Sequence, residues 1–190
     1  SYTSYVESLV PWMEMNAQRI FGARGIVLPS RTSTNGFNNA LAPRFAGAFW
    51  VAGAPWAAHF FYDYYLHTGD RKFLVEHAMP FMEKSPENAP ENTKSQATFN
   101  ATMDVSAAKE LLTRLIALSR ELGRNQEKVK VWEKMLAKMP PYILGPEGGV
   151  KEWLTPLLDD NHAHRHSSHL YALYDGLPAE IAADPKLMAA

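Results

Sequence analysis

Residues 104–122 read DVSAAKELLTRLIALSREL, and Gly123 follows them. Apolar side chains recur in this stretch every three or four residues, which places them on one face of an α-helix: Val105, Leu111, Leu112, Leu115, Ile116 and Leu118. A glycine at the end is a common helix stop. Residues 126–139 repeat the pattern and end before Pro140, so the sequence predicts an antiparallel pair of helices here.

Three segments nearer the N-terminus also have helical patterns. Residues 2–21 carry apolar side chains at helical spacing and precede a glycine, which predicts one helix. Residues 55–67 are apolar and aromatic on nearly all sides, which predicts a largely buried helix. Residues 71–84 predict a further helix, and Pro80 strains its last turn because proline has no backbone N–H.

The segments between these helices contain many turn-forming residues. Residues 24–49 and 85–101 are rich in proline, asparagine and other turn formers, which predicts two long loops. Long ordered loops in compact domains usually build a site, so the loop over residues 24–49 favours a function. A last helix is predicted over residues 164–174. No segment alternates as a strand does, so the predicted class is all-α, and 190 residues fit one domain.

The composition narrows the classes of partner. A net charge of -1, from 19 basic and 20 acidic residues, gives no electrostatic attraction for nucleic acid or for an anionic membrane. No apolar run approaches the ~20 residues that span a bilayer, and no signal peptide is recognisable. The absence of cysteine excludes disulfides and thiolate chemistry. Five Trp and eight Tyr suit a sugar-binding cleft, although aromatic packing explains most of them.

Four of the seven histidines lie in one short run that follows Asp159 and Asp160. Such a density of titratable groups usually belongs to a site. If the run is helical, His162, His166 and His169 share one face and could present three imidazoles to a zinc ion, with an aspartate as fourth ligand. A metal-binding helical domain is therefore one alternative for this chain.

A set of short motifs follows in order along the chain: Ala23-Arg24-Gly25-Ile26-Val27, Trp56-Ala57-Ala58-His59, His67-Thr68-Gly69-Asp70, Ser85-Pro86-Glu87-Asn88, Glu152-Trp153 and His164-Arg165-His166-Ser167-Ser168-His169-Leu170-Tyr171. In this order they resemble glycoside hydrolase family 95, the inverting 1,2-α-L-fucosidases and related α-L-galactosidases. The resemblance implies that residues 1–190 form part of one catalytic domain, an (α/α)6 barrel in which six helical hairpins make a toroid. It also suggests a secreted or periplasmic enzyme.

The resemblance implies a role for each matching residue. Glu87 matches the general acid that protonates the glycosidic oxygen, which requires a carboxylic acid kept protonated near neutral pH. Arg165 and His166 match residues that hydrogen-bond the sugar hydroxyls, and Trp56 and His59 match residues that line the same pocket. The family pattern needs no metal and no cofactor, and the implied partner is an oligosaccharide or glycan substrate.

The chain departs from the family pattern where catalysis is concerned. It contains neither the Asn-rich motif that positions the attacking water nor the downstream Asp that acts as base, so we expect it to lack the general base and to be inactive alone. The connection before Glu87 is shorter than in the family, and residues 28–34 replace a family His-His-Asn-Thr-Asp motif. If the resemblance is set aside, Glu91, in a second Pro-Glu-Asn, is an equally plausible acid.

The number of helices also points to an incomplete barrel. About six or seven are predicted, roughly half of the twelve that a toroid needs. An open half exposes apolar faces, which favours self-association. A non-catalytic or degenerate sugar-binding helical domain, which would keep the four binding residues, stays open as an alternative. The choice between fucose and galactose depends on one hydroxymethyl group.

Overall fold

The structure, a computed structural model, describes residues 2–34, 50–84, 100–160, 167–174 and 177–190. In these ranges it contains helices and two isolated β-bridges but no strand, so the predicted all-α class is confirmed. Among the described helices, none combines the length and the hydropathy that a bilayer span requires. The chain divides into two compact units, Ser1–Ala97 and Thr98–Ala190. The toroid and self-association stay predictions.

The first unit begins with two helices, α1 (Tyr2–Ser8) and α2 (Val10–Phe21), where the sequence predicts one. The break lies at Leu9 because Pro11 has no N–H and its ring would clash with the carbonyl four residues earlier in a continuous helix. The second helix starts afresh, since Met13 N–H donates to Leu9 O at 3.0 Å. It ends at a glycine with a left-handed backbone, as the sequence predicts.

Helix α3 (Gly53–Thr68) is only partly buried. Its Phe60, Tyr64 and Leu66 side chains are 37%, 44% and 57% exposed, so the prediction of a largely buried helix is wrong. The buried face consists of small residues and one phenyl ring: Gly53, Ala54, Pro55, Ala57, Ala58 and Phe61. Small side chains permit close packing, and this leaves most of the large aromatic side chains of the helix on its outer faces.

Residues 71–84 form one helical segment with a change of type inside it. A regular part, α4 (Arg71–Phe73), is followed by a π-helical turn (Leu74–Ala78) and by α5 (Met79–Lys84). The N–H of Met79 donates to the carbonyl of Leu74, five residues earlier. The turn lies just before Pro80, which has no N–H to donate and whose ring crowds the carbonyl four residues back. The strain predicted at this proline is therefore accommodated by a wider turn.

The second unit is built around α6 (Thr102–Leu122) and α7 (Gln126–Leu136), which pack against each other. All six side chains of the predicted apolar stripe on α6 are buried, so the helix and its inward face are confirmed. Arg120 of α6 pairs with Glu133 of α7. Val131 of α7 is 55% exposed, and the buried side chains of that helix are Val129 and Trp132.

Short helices complete the second unit: a 3₁₀ helix (Ser168–Leu173), α8 (Ala179–Ala182) and α9 (Pro185–Met188). The 3₁₀ helix packs against α6. Of the last helix predicted over residues 164–174, the structure describes 167–174, and this part is 3₁₀ rather than α-helical. Runs of a few residues often take this tighter form, because a short segment gains little from the α-helical bond pattern.

Candidate functional site

Four side chains lie along one stripe of α3 because they are three or four residues apart: Trp56, His59, Phe60 and Asp63. We call them the α3 stripe. His59 Nε2 lies 3.2 Å from Asp63 Oδ2, and the two side chains are 12% and 27% exposed. The Phe60 ring meets Trp56 edge to face, with 5.1 Å between centroids. The structure therefore brings together Trp56 and His59, the two predicted binding residues of the first unit.

Further aromatic rings extend the α3 stripe. The Tyr2 ring lies 5.4 Å from Phe60, and the Trp50 ring lies 6.0 Å from Trp56. Partial burial raises the pKa of the Tyr2 hydroxyl above its usual range. Rings of this kind can stack on the apolar face of a sugar, while an imidazole beside a carboxylate can bond its hydroxyls. Asp63 was not predicted as a site residue, although its four-residue spacing from His59 is a signal that the sequence contains.

In the second unit, Glu152 joins two residues of the predicted histidine run. Ser168 Oγ donates to Glu152 Oε1 at 2.5 Å, and His169 Nδ1 lies 3.0 Å from Glu152 Oε2. The His169 side chain is 31% exposed, so this ring is partly buried. Glu152 belongs to a motif of the resemblance, yet the sequence assigned it no role.

The same 3₁₀ helix has a second attachment, to α6. Tyr171 Oη donates to Glu110 Oε2 at 2.9 Å, and Arg114 Nη2 lies 2.5 Å from the other oxygen of that carboxylate. Arg114 is one helical turn from Glu110, so α6 presents a carboxylate already paired with a cation. Side chains of the 3₁₀ helix are thus hydrogen-bonded to two carboxylates, those of Glu152 and Glu110.

A buried polar cluster in this unit stabilises the inner face of α6. Lys109 Nζ lies 2.5 Å from Glu180 Oε2 and 4.4 Å from the centroid of the Tyr142 ring. Burial raises the pKa of the Tyr142 hydroxyl, and its hydrogen bond to Ser106 Oγ at 3.0 Å offsets part of the effect. The cluster pairs a buried cation with an anion and a ring, which explains how α6 tolerates a lysine on its inner face.

The remaining predicted site residues, Glu87, Arg165 and His166, lie outside the described residues, as does the alternative acid Glu91. Their gathering with the α3 stripe around one cavity is therefore a prediction. Among the residues that the structure describes, no group of three or more histidines and carboxylates has the geometry to hold a metal ion. His162, a zinc ligand in the metal-binding alternative, also falls outside them.

Comparison with known proteins gives two findings. A sequence model described as the glycosyl hydrolase family 95 catalytic domain matches the chain in two parts, residues 1–85 and 81–190. A curated relative, "Alpha-L-fucosidase 2" from Arabidopsis thaliana, is 25% identical over 168 residues, which cover 74% of this chain and 20% of the relative. The chain thus spans about one fifth of the relative's length.

The family match bears on the connection before Glu87, and the match to the relative also contains gaps. The two matched parts of the family model meet at residues 81–85, so the match is interrupted there. Because 74% of 190 residues is about 141, the aligned stretch of 168 residues contains positions for which the chain has no counterpart. The interruption falls at the connection that the sequence predicts to be shortened.

Proposed function

Because the chain belongs to the glycosyl hydrolase family 95 catalytic domain, we propose that it forms part of an enzyme that hydrolyses terminal α-L-fucosides with inversion. The observation that carries this proposal is the family match, which extends over both compact units of the chain. The name of the Arabidopsis relative favours fucose as the sugar. In this proposal the helices described above are part of an (α/α)6 toroid.

The proposed roles follow the family pattern. Glu87 donates a proton to the glycosidic oxygen, so that the departing sugar leaves as an alcohol. Arg165, His166, Trp56 and His59 bind the fucosyl group. The α3 stripe supports the last two assignments, because a ring and a hydrogen-bonding imidazole lie side by side there, and Asp63 orients that imidazole.

The general base is the part that this chain lacks in the proposal. An inverting glycosidase needs two carboxyl groups about 6.5–9.5 Å apart, with the attacking water between them. The family's Asn-rich motif and base motif do not occur among these 190 residues. We therefore expect the chain by itself to bind fucose without hydrolysing fucosides, and this expectation also covers the second candidate, a sugar-binding domain with no catalysis.

Two experiments test the proposal. In the first, the 190-residue chain is titrated calorimetrically with L-fucose, with and without a chelator, and is incubated with 2'-fucosyllactose. Binding that the chelator leaves unchanged, without release of fucose, is expected. Binding that requires metal would favour the metal-binding alternative, and strong hydrolysis by the chain alone would contradict the assignment of a missing base.

In the second experiment, the chain is fused to the segments of the Arabidopsis relative that flank the aligned stretch. We expect turnover of 2'-fucosyllactose with β-fucose as the first anomer seen by proton NMR. Glu87→Gln should lower the rate about 10²–10⁴-fold while fucose binding persists. Glu91→Gln is the matched control, since it makes the same change in the neighbouring Pro-Glu-Asn. An undiminished rate in Glu87→Gln shows that the acid is misplaced.

A further inference from the structure

The solvent-facing side of α1 carries no charge. The exposed residues of this helix all bear a hydroxyl group: Tyr2, Ser4, Tyr5 and Ser8. We call them the α1 face. Glu7, the one charged residue in α1, is only partly exposed and its Oε1 atom lies 2.8 Å from His77 Nδ1. Exposed helix faces usually carry charged side chains, so this face is unusual in presenting aromatic rings and neutral hydroxyls to solvent.

The α1 face adjoins the α3 stripe. The Tyr2 ring meets the Phe60 ring edge to face, with 5.4 Å between centroids, and Phe60 meets Trp56 in the same way at 5.1 Å. Two ring-to-ring contacts therefore connect Tyr2 with a residue for which we propose fucose binding. Tyr5 follows Tyr2 by three residues, which places the two tyrosines on one side of α1.

The rings in this series are open to solvent. Tyr2 and Tyr5 are each 47% exposed, and Phe60 is 37% exposed. Single exposed apolar side chains are common on protein surfaces, but neighbouring exposed rings indicate a binding surface. A pyranose has a C–H face that packs on an aromatic ring, and its hydroxyls bond to the hydroxyl of a tyrosine or serine. The α1 face offers both kinds of contact without a charge, which suits a neutral sugar.

We propose that Tyr2 and Tyr5 bind the second sugar of the glycan substrate, the neutral hexose to which the terminal fucose is attached. The inference rests on the proposed function, which assigns the fucosyl group to Trp56 and His59. One glycosidic bond joins the two sugars, so residues that bind the second sugar must lie close to those that bind the first. Tyr2 meets this requirement, because the Phe60 ring contacts both it and Trp56.

The test compares two ligands on the 190-residue chain, which we expect not to hydrolyse fucosides. L-Fucose fills the first position alone, whereas 2'-fucosyllactose adds a galactose at the second, so the unmodified chain should bind the trisaccharide more tightly. Calorimetric titration of Tyr2→Ala should show the dissociation constant of 2'-fucosyllactose rising about three- to tenfold, in line with the loss of an aromatic contact. The dissociation constant of L-fucose should stay within about twofold of its original value.

Three further variants complete the experiment. Tyr2→Phe keeps the ring, so a smaller loss of trisaccharide affinity is expected. Tyr5→Ala should also weaken binding of the trisaccharide alone, and it decides the question if Tyr2→Ala does not fold. Tyr64→Ala is the matched control, because Tyr64 has a similar exposed fraction, 44%, and its ring packs on Phe73 with 4.3 Å between centroids. This control should change neither dissociation constant.

The outcomes separate this inference from the proposed function. If the chain binds L-fucose but binds 2'-fucosyllactose no more tightly, the inference is wrong and the proposed function stands. The same holds if Tyr2→Ala and Tyr5→Ala weaken both ligands equally. If the unmodified chain binds neither ligand, both proposals fail. Sedimentation velocity tests a different occupant: loss of a dimer in Tyr2→Ala with unchanged trisaccharide affinity would show that the α1 face contacts a second copy of the chain, which overturns the inference.

Discussion

Helices α3, of 16 residues, and α6, of 21 residues, bury different kinds of side chain. Helix α6 buries eleven residues, most of them large aliphatic side chains on one face. Helix α3 buries six, and five of these are glycine, alanine or proline. Apart from Phe61, its large rings are partly exposed, and they include Trp56 and Phe60 of the α3 stripe. The comparison indicates that α6 supplies core volume to its unit, whereas α3 contributes little core volume and carries the residues for which we propose sugar binding.

The largest expected effect tests the stabilising side of this comparison. Leu112 of α6 is fully buried, so Leu112→Ala should lower the free energy of unfolding by about 2–5 kcal/mol, through lost burial and the cavity left behind. Urea denaturation followed by circular dichroism measures it. Thr113→Ala, on the exposed side of the same helix, should stay within about 0.5 kcal/mol. Equal losses of unfolding free energy in the two variants would contradict the view that the buried face of α6 supplies stability.

The next effect tests the close packing of α3. A Cβ added at Gly53 would lie 2.0 Å from Leu28 O, a backbone atom that cannot rotate away. Gly53→Ala should therefore cost about 1–3 kcal/mol even though alanine favours helices. It should also weaken fucose binding, since the displaced turn carries Trp56. In Gly149→Ala the new Cβ meets nothing within 4 Å, and a comparable loss there would show that the clash is not the cause.

The smallest effect on stability is expected on the exposed side of α3. Phe60→Leu keeps an apolar side chain at a position 37% exposed, so the cost should be below about 1.5 kcal/mol. Fucose affinity should nevertheless fall several-fold, because the ring beside Trp56 is lost. Calorimetric titration checks this, with Phe60→Tyr as the variant that keeps the ring. Unchanged affinity in Phe60→Leu would mean that the α3 stripe does not meet the sugar.

The parts of the fold that depend on neighbours in sequence could be predicted. The apolar stripe of α6 and the glycine after it placed that helix to within two residues at its start. The break before Pro11 was readable from the proline itself, and the single-helix prediction overlooked it. Burial of α3 could not be read from its composition, because apolar rings can face either a core or a ligand and only packing decides which.

The candidate site also contains one contact that could be predicted from the sequence and another that could not. His59 and Asp63 meet because a helix brings residues four apart together, and this is visible in the sequence. Glu152 and His169 are 17 residues apart with no repeating pattern between them, so their contact arises only when the chain folds back. Glu87, Arg165 and His166, which lie outside the described residues, keep their roles as predictions from the family pattern.

The π-helical turn sets the rotational phase of the segment that contains it. Eight residues of regular α-helix advance about 80° beyond two full turns, which would point Phe73 and Phe81 in different directions. A π turn advances less per residue, and both rings reach Phe61, with centroids 6.1 Å and 4.4 Å away. The wide turn beside Pro80 therefore corrects the rotation of the helix, so that the rings of Phe73 and Phe81 both contact Phe61. A regular helix of the same sequence would swing one of them away.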